Sequence, residues 1–166
     1  MLENENISSE KSAESAVENS AGITAIRKVT MEDADAVYIL MQELGSARFD
    51  REALKDILKE QLEQPEMYIC FVCEEAGKGV IGVVNMRMEN QLHHGARVAE
   101  VMELVVLETE QGRGIGTRLL HHAETYAAEH GCVELELSSH FIRREAHAFY
   151  EHYGMNKDHY NFTKEL

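Results

Sequence analysis

Cysteine, basic residues and long apolar runs are all scarce in this chain, and each scarcity excludes something. The 166 residues hold three cysteines, Cys70, Cys73 and Cys132. An odd number without a recognisable signal peptide argues against a disulfide scaffold and for reduced thiols, so a cytoplasmic setting is expected. Lys and Arg total 16 against 30 Asp and Glu, a formal net charge of −14, opposite in sign to a nucleic-acid binder. No apolar stretch approaches the length of a membrane span, and the N-terminus is polar rather than basic then apolar, so neither nucleic acid nor membrane is an expected partner. What remains, 44% hydrophobic and 28% charged residues, is the balance of one globular domain. A chain of about 150 residues buries roughly two thirds of its unfolded surface and needs no disulfide or metal to fold.

Residues 1–22 carry Ser, Asn, Glu and Ala with little apolar surface, so a disordered acidic tail is expected there, with at most a weak helix across Lys11–Asn19. The domain is expected to span residues 23–166. A strand is expected over Thr24–Val29. Thr30 and Asp33 then form a capping box before a helix whose buried stripe is Val37, Leu40, Met41 and Leu44. Asp50 caps a second helix with Leu54, Ile57, Leu58 and Leu62 on one stripe, and the only proline, Pro65, marks its end. Three strands follow, Tyr68–Glu74, Val80–Met88 and Val98–Leu107, spaced as antiparallel neighbours. Ile115, Leu119, Leu120, Ala123, Tyr126 and Ala127 trace a third helix, and Val133, Leu135 and Leu137 alternate as a half-buried strand, which makes a parallel crossover. Ala146, Phe149, Tyr150 and Tyr153 give a fourth helix closed by Gly154, and His159–Lys164 reads as a last strand with Tyr160 and Phe162.

Between the third of those strands and the third helix runs Gln111-Gly112-Arg113-Gly114-Ile115-Gly116-Thr117. A glycine-rich turn at a helix N-terminus presents several backbone amides together with the positive end of the helix dipole, a combination suited to phosphate. Arg113 and Arg118 stand beside it as candidate partners, so a diphosphate cofactor leads. The Gly-Lys-Ser/Thr of a P-loop is absent, and the loop lies too late in the chain for a dinucleotide fingerprint.

The loop resembles the Gln/Arg-x-x-Gly-x-Gly/Ala signature of the GNAT family of N-acetyltransferases, through Gln111, Gly114 and Gly116. Residues Ala146 to Met155 are similar to that family's second signature, Ala-x-x-Phe-Tyr-x-x-x-Gly followed by an apolar residue. Asp35-Ala36-Val37-Tyr38, Leu92-His93-His94, Ala146 to Tyr150 and Phe162-Thr163-Lys164 are similar to the aminoalkylphosphonate N-acetyltransferases within it. The resemblance implies an α/β (α+β) GNAT fold: a mixed, mostly antiparallel sheet flanked by helices, with a splayed parallel strand pair holding acetyl-CoA. It implies transfer of the acetyl group to the primary amine of a small molecule by direct attack in a ternary complex. Another amine (polyamine, aminoglycoside, amino acid or protein amine) and a non-catalytic acetyl-CoA-sensing module are the alternatives. A homodimer is left open, and no metal is assigned.

A protonated amine cannot attack, so a base is required, and the resemblance gives that role to Glu100. Glu103, three residues on, is expected on the opposite face of a regular strand. The departing thiolate needs a proton, which the family's tyrosine, matched by Tyr150, supplies; packing alone would also account for Tyr150. By the same resemblance the backbone of Leu104, Val105 and Val106 holds the pantetheine arm, and residues Gly112, Arg113, Gly114, Ile115, Gly116 and Thr117, with Gln111, hold the pyrophosphate. Many members carry Asn where this chain has Arg143. His93 and His94, in the turn between two long strands, and Phe49 and Asp50 are candidate substrate contacts. Cys70 and Cys73 spell Cys-x-x-Cys, but on a strand they point to opposite faces and read as core. His121 and His122 read as exposed helix surface.

Overall fold

The computed structural model of the chain describes residues 24–45 and 49–166. The expected tail over 1–22 and the weak helix across Lys11–Asn19 lie outside the described residues. Strand β1 (Thr24–Lys28) leads into a 3-10 turn at Met31–Asp33 and helix α1 (Ala34–Leu44). The capping box is formed: the backbone amide of Thr30 donates to Asp33 Oδ2 at 2.8 Å, and Arg27 clasps the same carboxylate at 2.8 Å. Helix α2 (Arg51–Leu62) starts at Asp50, whose Oδ1 accepts from the amide of Glu52 at 3.0 Å.

Strands β2 (Tyr68–Glu75), β3 (Gly79–Gln91) and β4 (Ala96–Val106) make an antiparallel meander. Helix α3 (Ile115–Glu129) carries the chain across to β5 (Cys132–Leu137), which pairs parallel with β4, and α4 (Arg144–Tyr153) follows. The sheet order is β1-β2-β3-β4-β5, so the expected mixed, mostly antiparallel sheet flanked by helices is what forms. Two cores fill its faces: Phe71, Val84, Met86, Val101, Leu119 and Leu120 beneath α3, and Val37, Leu40, Leu58, Val72, Val83 and Val105 beneath α1 and α2. Cys70 belongs to the second and Cys73 to the first, opposite faces as the strand period requires, and burial pushes both thiols up.

Three expectations need correction. The α2 stripe is only partly buried: Leu58 is covered, whereas Ile57 is 56% exposed and Leu62 also faces solvent, because α2 meets the sheet along one narrow line. No strand forms over His159–Lys164; Tyr160 and Phe162 alternate as a strand would, but no described strand lies alongside to pair with them. Val133 is 68% exposed, because a bulge at the start of the β4–β5 ladder sets Cys132 in its place on the core side with Leu135 and Leu137. His122 is exposed as expected, with its ring edge-on to Phe71 at 4.5 Å between centroids. None of the described helices is long and apolar enough to cross a membrane.

Candidate active site at the end of the β4–β5 pairing

The β4–β5 ladder runs from Arg97↔Cys132 to Val101↔Leu137 and stops, while β4 continues to Val106. From Met102 onward β4 therefore has β3 on one side and no described strand on the other. Leu104, Val105 and Val106 lie on this unaccompanied stretch, where the edge away from β3 has no described strand partner and the carbonyl of Val106 is taken by Gln111.

The same stretch contains a β-bulge. On β3, Asn85 lies opposite Glu103 and the next residue, Met86, lies opposite Val101, so Met102 is the extra residue. A bulge of one residue reverses the alternation beyond it. Glu100 sits opposite Arg87 and Glu103 opposite Asn85, two β3 residues with the same facing. Glu100 and Glu103 thus share the α1/α2 face, contrary to the expectation for a regular strand. Glu136, level with Glu100 on β5, adds a third carboxylate to that face.

The two β4 carboxylates differ in their surroundings. Arg87 donates to Glu100 at 2.8 Å. Glu103 accepts from Asn85 Nδ2 at 2.9 Å, and the same amide nitrogen lies 3.1 Å from Gln61 Oε1 on α2. Burial pushes the Glu103 carboxyl up, the Asn85 hydrogen bond opposes this, and the charge of Glu100 adds to it. Asn85, Gln61 and Arg87 were not picked out from the sequence. The signal for Asn85 was present, a lone amide inside Val83-Val84-Asn85-Met86, whereas nothing marks Gln61 on a polar helix.

Beyond β4 the glycine loop turns into α3. Gly112 and Gly114 both have φ of 75°, the left-handed region that a residue with a Cβ enters only at a cost. Among the described residues, the amides from Gly112 to Thr117 have no backbone acceptor, and the first three helical ones point out of the α3 N-terminus. Gln111 Nε2 donates to the carbonyl of Val106 at 3.1 Å, tying the loop to the end of β4. The arginines do something other than expected. Arg113 is engaged by Glu75 at 2.7 Å and by Glu110, and Arg118 by the side chain and carbonyl of Thr24, so both are held toward the β1–β2 side. What the loop leaves without a described backbone acceptor is its main-chain amides, while both arginine side chains are engaged elsewhere. A Cβ on Gly116 would stand 3.6 Å from Phe149, so α3 and α4 meet closely there.

Tyr150 is half-buried on α4, against the core beneath α3 and 5.2 Å from Phe149 between ring centroids. Its hydroxyl makes no hydrogen bond to a described residue. Burial pushes the phenol up and Arg143 pulls it back. Arg143 also donates to the carbonyl of Leu44, while Glu43 accepts from the amide of Glu108 at 2.9 Å, so the end of α1 reaches both the start of α4 and the approach to the glycine loop. Phe49 lies just beyond α1, edge-on to Tyr38 at 5.5 Å, and Asp50 is occupied as the α2 cap.

His93 and His94 lie toward the other end of β4 and line an open groove with Glu134 and Glu136, the latter level with Glu100. They precede Ala96 at the far end of β4, about 20 Å of extended strand from the bulge, at roughly 3.3 Å per residue. There the two rings stand edge-on, 4.0 Å between centroids, and His94 lies 3.4 Å from Glu134. Among the described residues no group of His, Cys, Asp or Glu is arranged to hold a metal ion.

The comparisons with known proteins agree with this geometry. Residues 34–155 match the acetyltransferase (GNAT) family. The aminoalkylphosphonate N-acetyltransferase of Salmonella typhimurium is 35% identical over 144 residues, covering 87% of this chain and 92% of that protein. Two solved structures share the fold at low identity. A transcriptional regulator from Bacillus halodurans superposes with a TM-score of 0.76 at 19% identity, over 86% of this chain and 99% of that one. Glucosamine-6-phosphate N-acetyltransferase from Arabidopsis thaliana gives 0.75 at 18%, over 86% and 98%. The family match across most of the domain, the curated relative and the β4–β5 opening above an amide-lined loop lead to one conclusion: the chain belongs to the acetyltransferase (GNAT) family and is an N-acetyltransferase.

Proposed function

We propose that the chain transfers the acetyl group of acetyl-CoA to the primary amine of a small molecule, an aminoalkylphosphonate, by direct attack in a ternary complex. The observation that carries the reaction is the bulge at Met102, which sets two carboxylates on one face where the sheet opens. The donor set suits a diphosphate: the amides of residues 112–117 lack backbone acceptors, and the carboxylates of Glu75 and Glu110 behind the loop are matched by Lys78 and Arg113. Those amides and Gln111 take the pyrophosphate; the backbone of Leu104, Val105 and Val106 takes the pantetheine arm and polarises the carbonyl. Acetyl-CoA supplies the acyl group as a thioester.

Glu100 and Glu103 together draw in the ammonium form of the acceptor. Glu103 accepts its proton, since a carboxyl raised by burial is a better match to an amine than an ordinary one. Asn85 holds Glu103 in place, and Arg87 fixes Glu100. As nitrogen bonds to the carbonyl carbon and the carbon–sulfur bond breaks, Tyr150 gives its proton to the departing sulfur; its hydroxyl is committed to no described partner. Phe49, edge-on to Tyr38 just beyond α1, is assigned to the acceptor. The similarity to the Salmonella enzyme favours a phosphonate acceptor. The shared facing of Glu100, Glu103 and Glu136 favours a second reading, a more cationic amine such as a polyamine.

The test is the initial rate of thiol release from acetyl-CoA with 2-aminoethylphosphonate, beside spermidine and a control without acceptor. A preference for the phosphonate is expected. A preference for spermidine would retain the acetyl transfer and remove the phosphonate, and no release above the control with any amine would favour an acetyl-CoA sensor.

A further inference from the structure

With Ile57 and Leu62 facing solvent, the line along which α2 meets the sheet is Leu54, Leu58 and Gln61, successive residues of one helix face. Leu54 and Leu58 pack on the core beneath α1 and α2. A third apolar residue would continue that contact. The chain carries an amide there instead, half-buried, with Gln61 Oε1 3.1 Å from Asn85 Nδ2 on β3. Taking an amide out of water is unfavourable unless a partner replaces the lost hydrogen bonds.

Asn85 is 8% exposed and is held at one end of its amide. Both hydrogens of Nδ2 have acceptors, Glu103 Oε2 at 2.9 Å and Gln61 Oε1. Oδ1 is buried and has no partner among the described residues. Two amides paired for stability alone would leave no buried acceptor idle, since an unmade hydrogen bond costs more than a made one returns. With Oδ1 unused, the way round that the Asn85 amide sits is decided on its nitrogen side, by Glu103 and Gln61. Turned over, it would set Oδ1 against a carboxylate and a second amide oxygen, three acceptors with no proton among them.

We infer that Gln61 is a positioning residue: its Oε1 keeps the Asn85 amide turned with Nδ2 toward Glu103, so that α2 as well as β3 and β4 builds the base. The inference rests on the proposed role of Glu103. Once Glu103 holds the proton of the acceptor it no longer requires a donor, and Gln61 alone keeps Nδ2 facing inward. When that proton leaves for solvent the carboxylate re-forms against a donor already in place, and each turnover starts from one geometry. The Asn85 hydrogen bond opposes the effect of burial on Glu103, so a loosened amide leaves that carboxyl higher. Glu100, Glu136 and Arg87, the charged groups on the same face, are untouched by a change at Gln61.

The test is the pH–rate profile of the full chain with acetyl-CoA and 2-aminoethylphosphonate, or spermidine where that is the faster acceptor, for Gln61→Met, Gln61→Glu and Glu103→Gln. Gln61→Met keeps the length of the side chain and removes the acceptor. It is expected to lower kcat about tenfold and to move the acid limb up by about one pH unit, with the KM for acetyl-CoA and the melting temperature close to wild type. Gln61→Glu retains an acceptor oxygen of the same reach and is expected to return the plateau kcat to within about threefold of wild type, while its charge keeps the limb high. An unmoved limb in Gln61→Met, with or without a lower melting temperature, would overturn the inference, and so would equal losses of kcat in the Met and Glu variants. Glu103→Gln separates the two readings. A limb that persists in Glu103→Gln would remove Glu103 as the base and the inference with it, whereas a limb lost there and unmoved in Gln61→Met would remove the role of Gln61 alone.

Discussion

Residues 24–127 and residues 128–166 are built to different standards. The first part holds every buried side chain described, in two cores on either side of a four-stranded antiparallel meander. The second contributes a two-sided edge strand and a helix with no buried residue. The proposed chemistry is divided between them, with the base on β4 in the well-packed part and the proton donor on α4 in the loosely packed part. A site assembled this way keeps one reactant group rigid and lets the other shift as cofactor arrives and product departs, within the free energy of a local opening rather than of global unfolding.

Glu103→Gln should give the largest change. It is expected to lower kcat on the order of 10³-fold, equivalent to about 4 kcal/mol, without loosening the fold. Burial raises the Glu103 carboxyl, so its contribution to stability is full below the ordinary glutamate range and lost as pH rises through the raised value. The melting temperature of Glu103→Gln at neutral pH should therefore equal or exceed that of the wild type. The acid limb of the pH–rate profile should vanish in this variant. In Glu100→Gln it should instead move to lower pH, because the charge of Glu100 helps hold Glu103 up. An unmoved limb in both would remove Glu103 as the base.

Packing separates the two parts next. Leu119 is fully buried, and Leu119→Ala should cost about 3 kcal/mol in a denaturant titration. Leu135→Ala, on the half-buried β5, should cost less than half of that; equal costs would erase the contrast. Tyr150→Phe follows, with kcat down about 10²-fold and the affinity for acetyl-CoA, read by calorimetry, within a few-fold of wild type. Unchanged turnover would leave Tyr150 as packing only.

The smallest effect belongs to the beginning of the domain. Arg27 and the amide of Thr30 hold the Asp33 carboxyl down at about 2, from 3.8. That contribution is present above pH 4 and lost as pH falls through about 2, so Asp33→Asn should cost about 1–2 kcal/mol near neutrality and almost nothing below pH 2. Paired unfolding curves at pH 7 and pH 2 read the difference directly.

Most of the fold was legible because its signals are local. The Thr30–Asp33 box, the Asp50 cap, the stop at Gly154 and the alternation of Leu135 and Leu137 each depend on a few neighbouring residues, and each element stands where its signal lies, whereas Val133 is displaced from that stripe by the bulge at the start of the β4–β5 ladder. β3 and β4 extend beyond the expected runs, to Gln91 and from Ala96, because their ladder tolerates polar residues right up to the turn. What was not legible depends on partners. The bulge at Met102 exists only in relation to β3, so counting residues from Glu100 to Glu103 gives the wrong face. The partners that divert Arg113 and Arg118 include Glu75 on β2 and Thr24 on β1, both distant in sequence. The strand expected at His159–Lys164 has the right alternation and lacks a described neighbour, which a periodicity cannot reveal.

The amide turn from Gly112 to Thr117 has a consequence for mutational drift. Its donors belong to the main chain, and every residue except proline supplies one. Given the left-handed turns at Gly112 and Gly114, the side chains beside them are free to be recruited elsewhere: Arg113 as an electrostatic anchor to Glu75, Ile115 as a core residue. Two vocabularies are thereby written in the same six positions, one in backbone and one in side chains, and a substitution can revise the second while leaving the first intact.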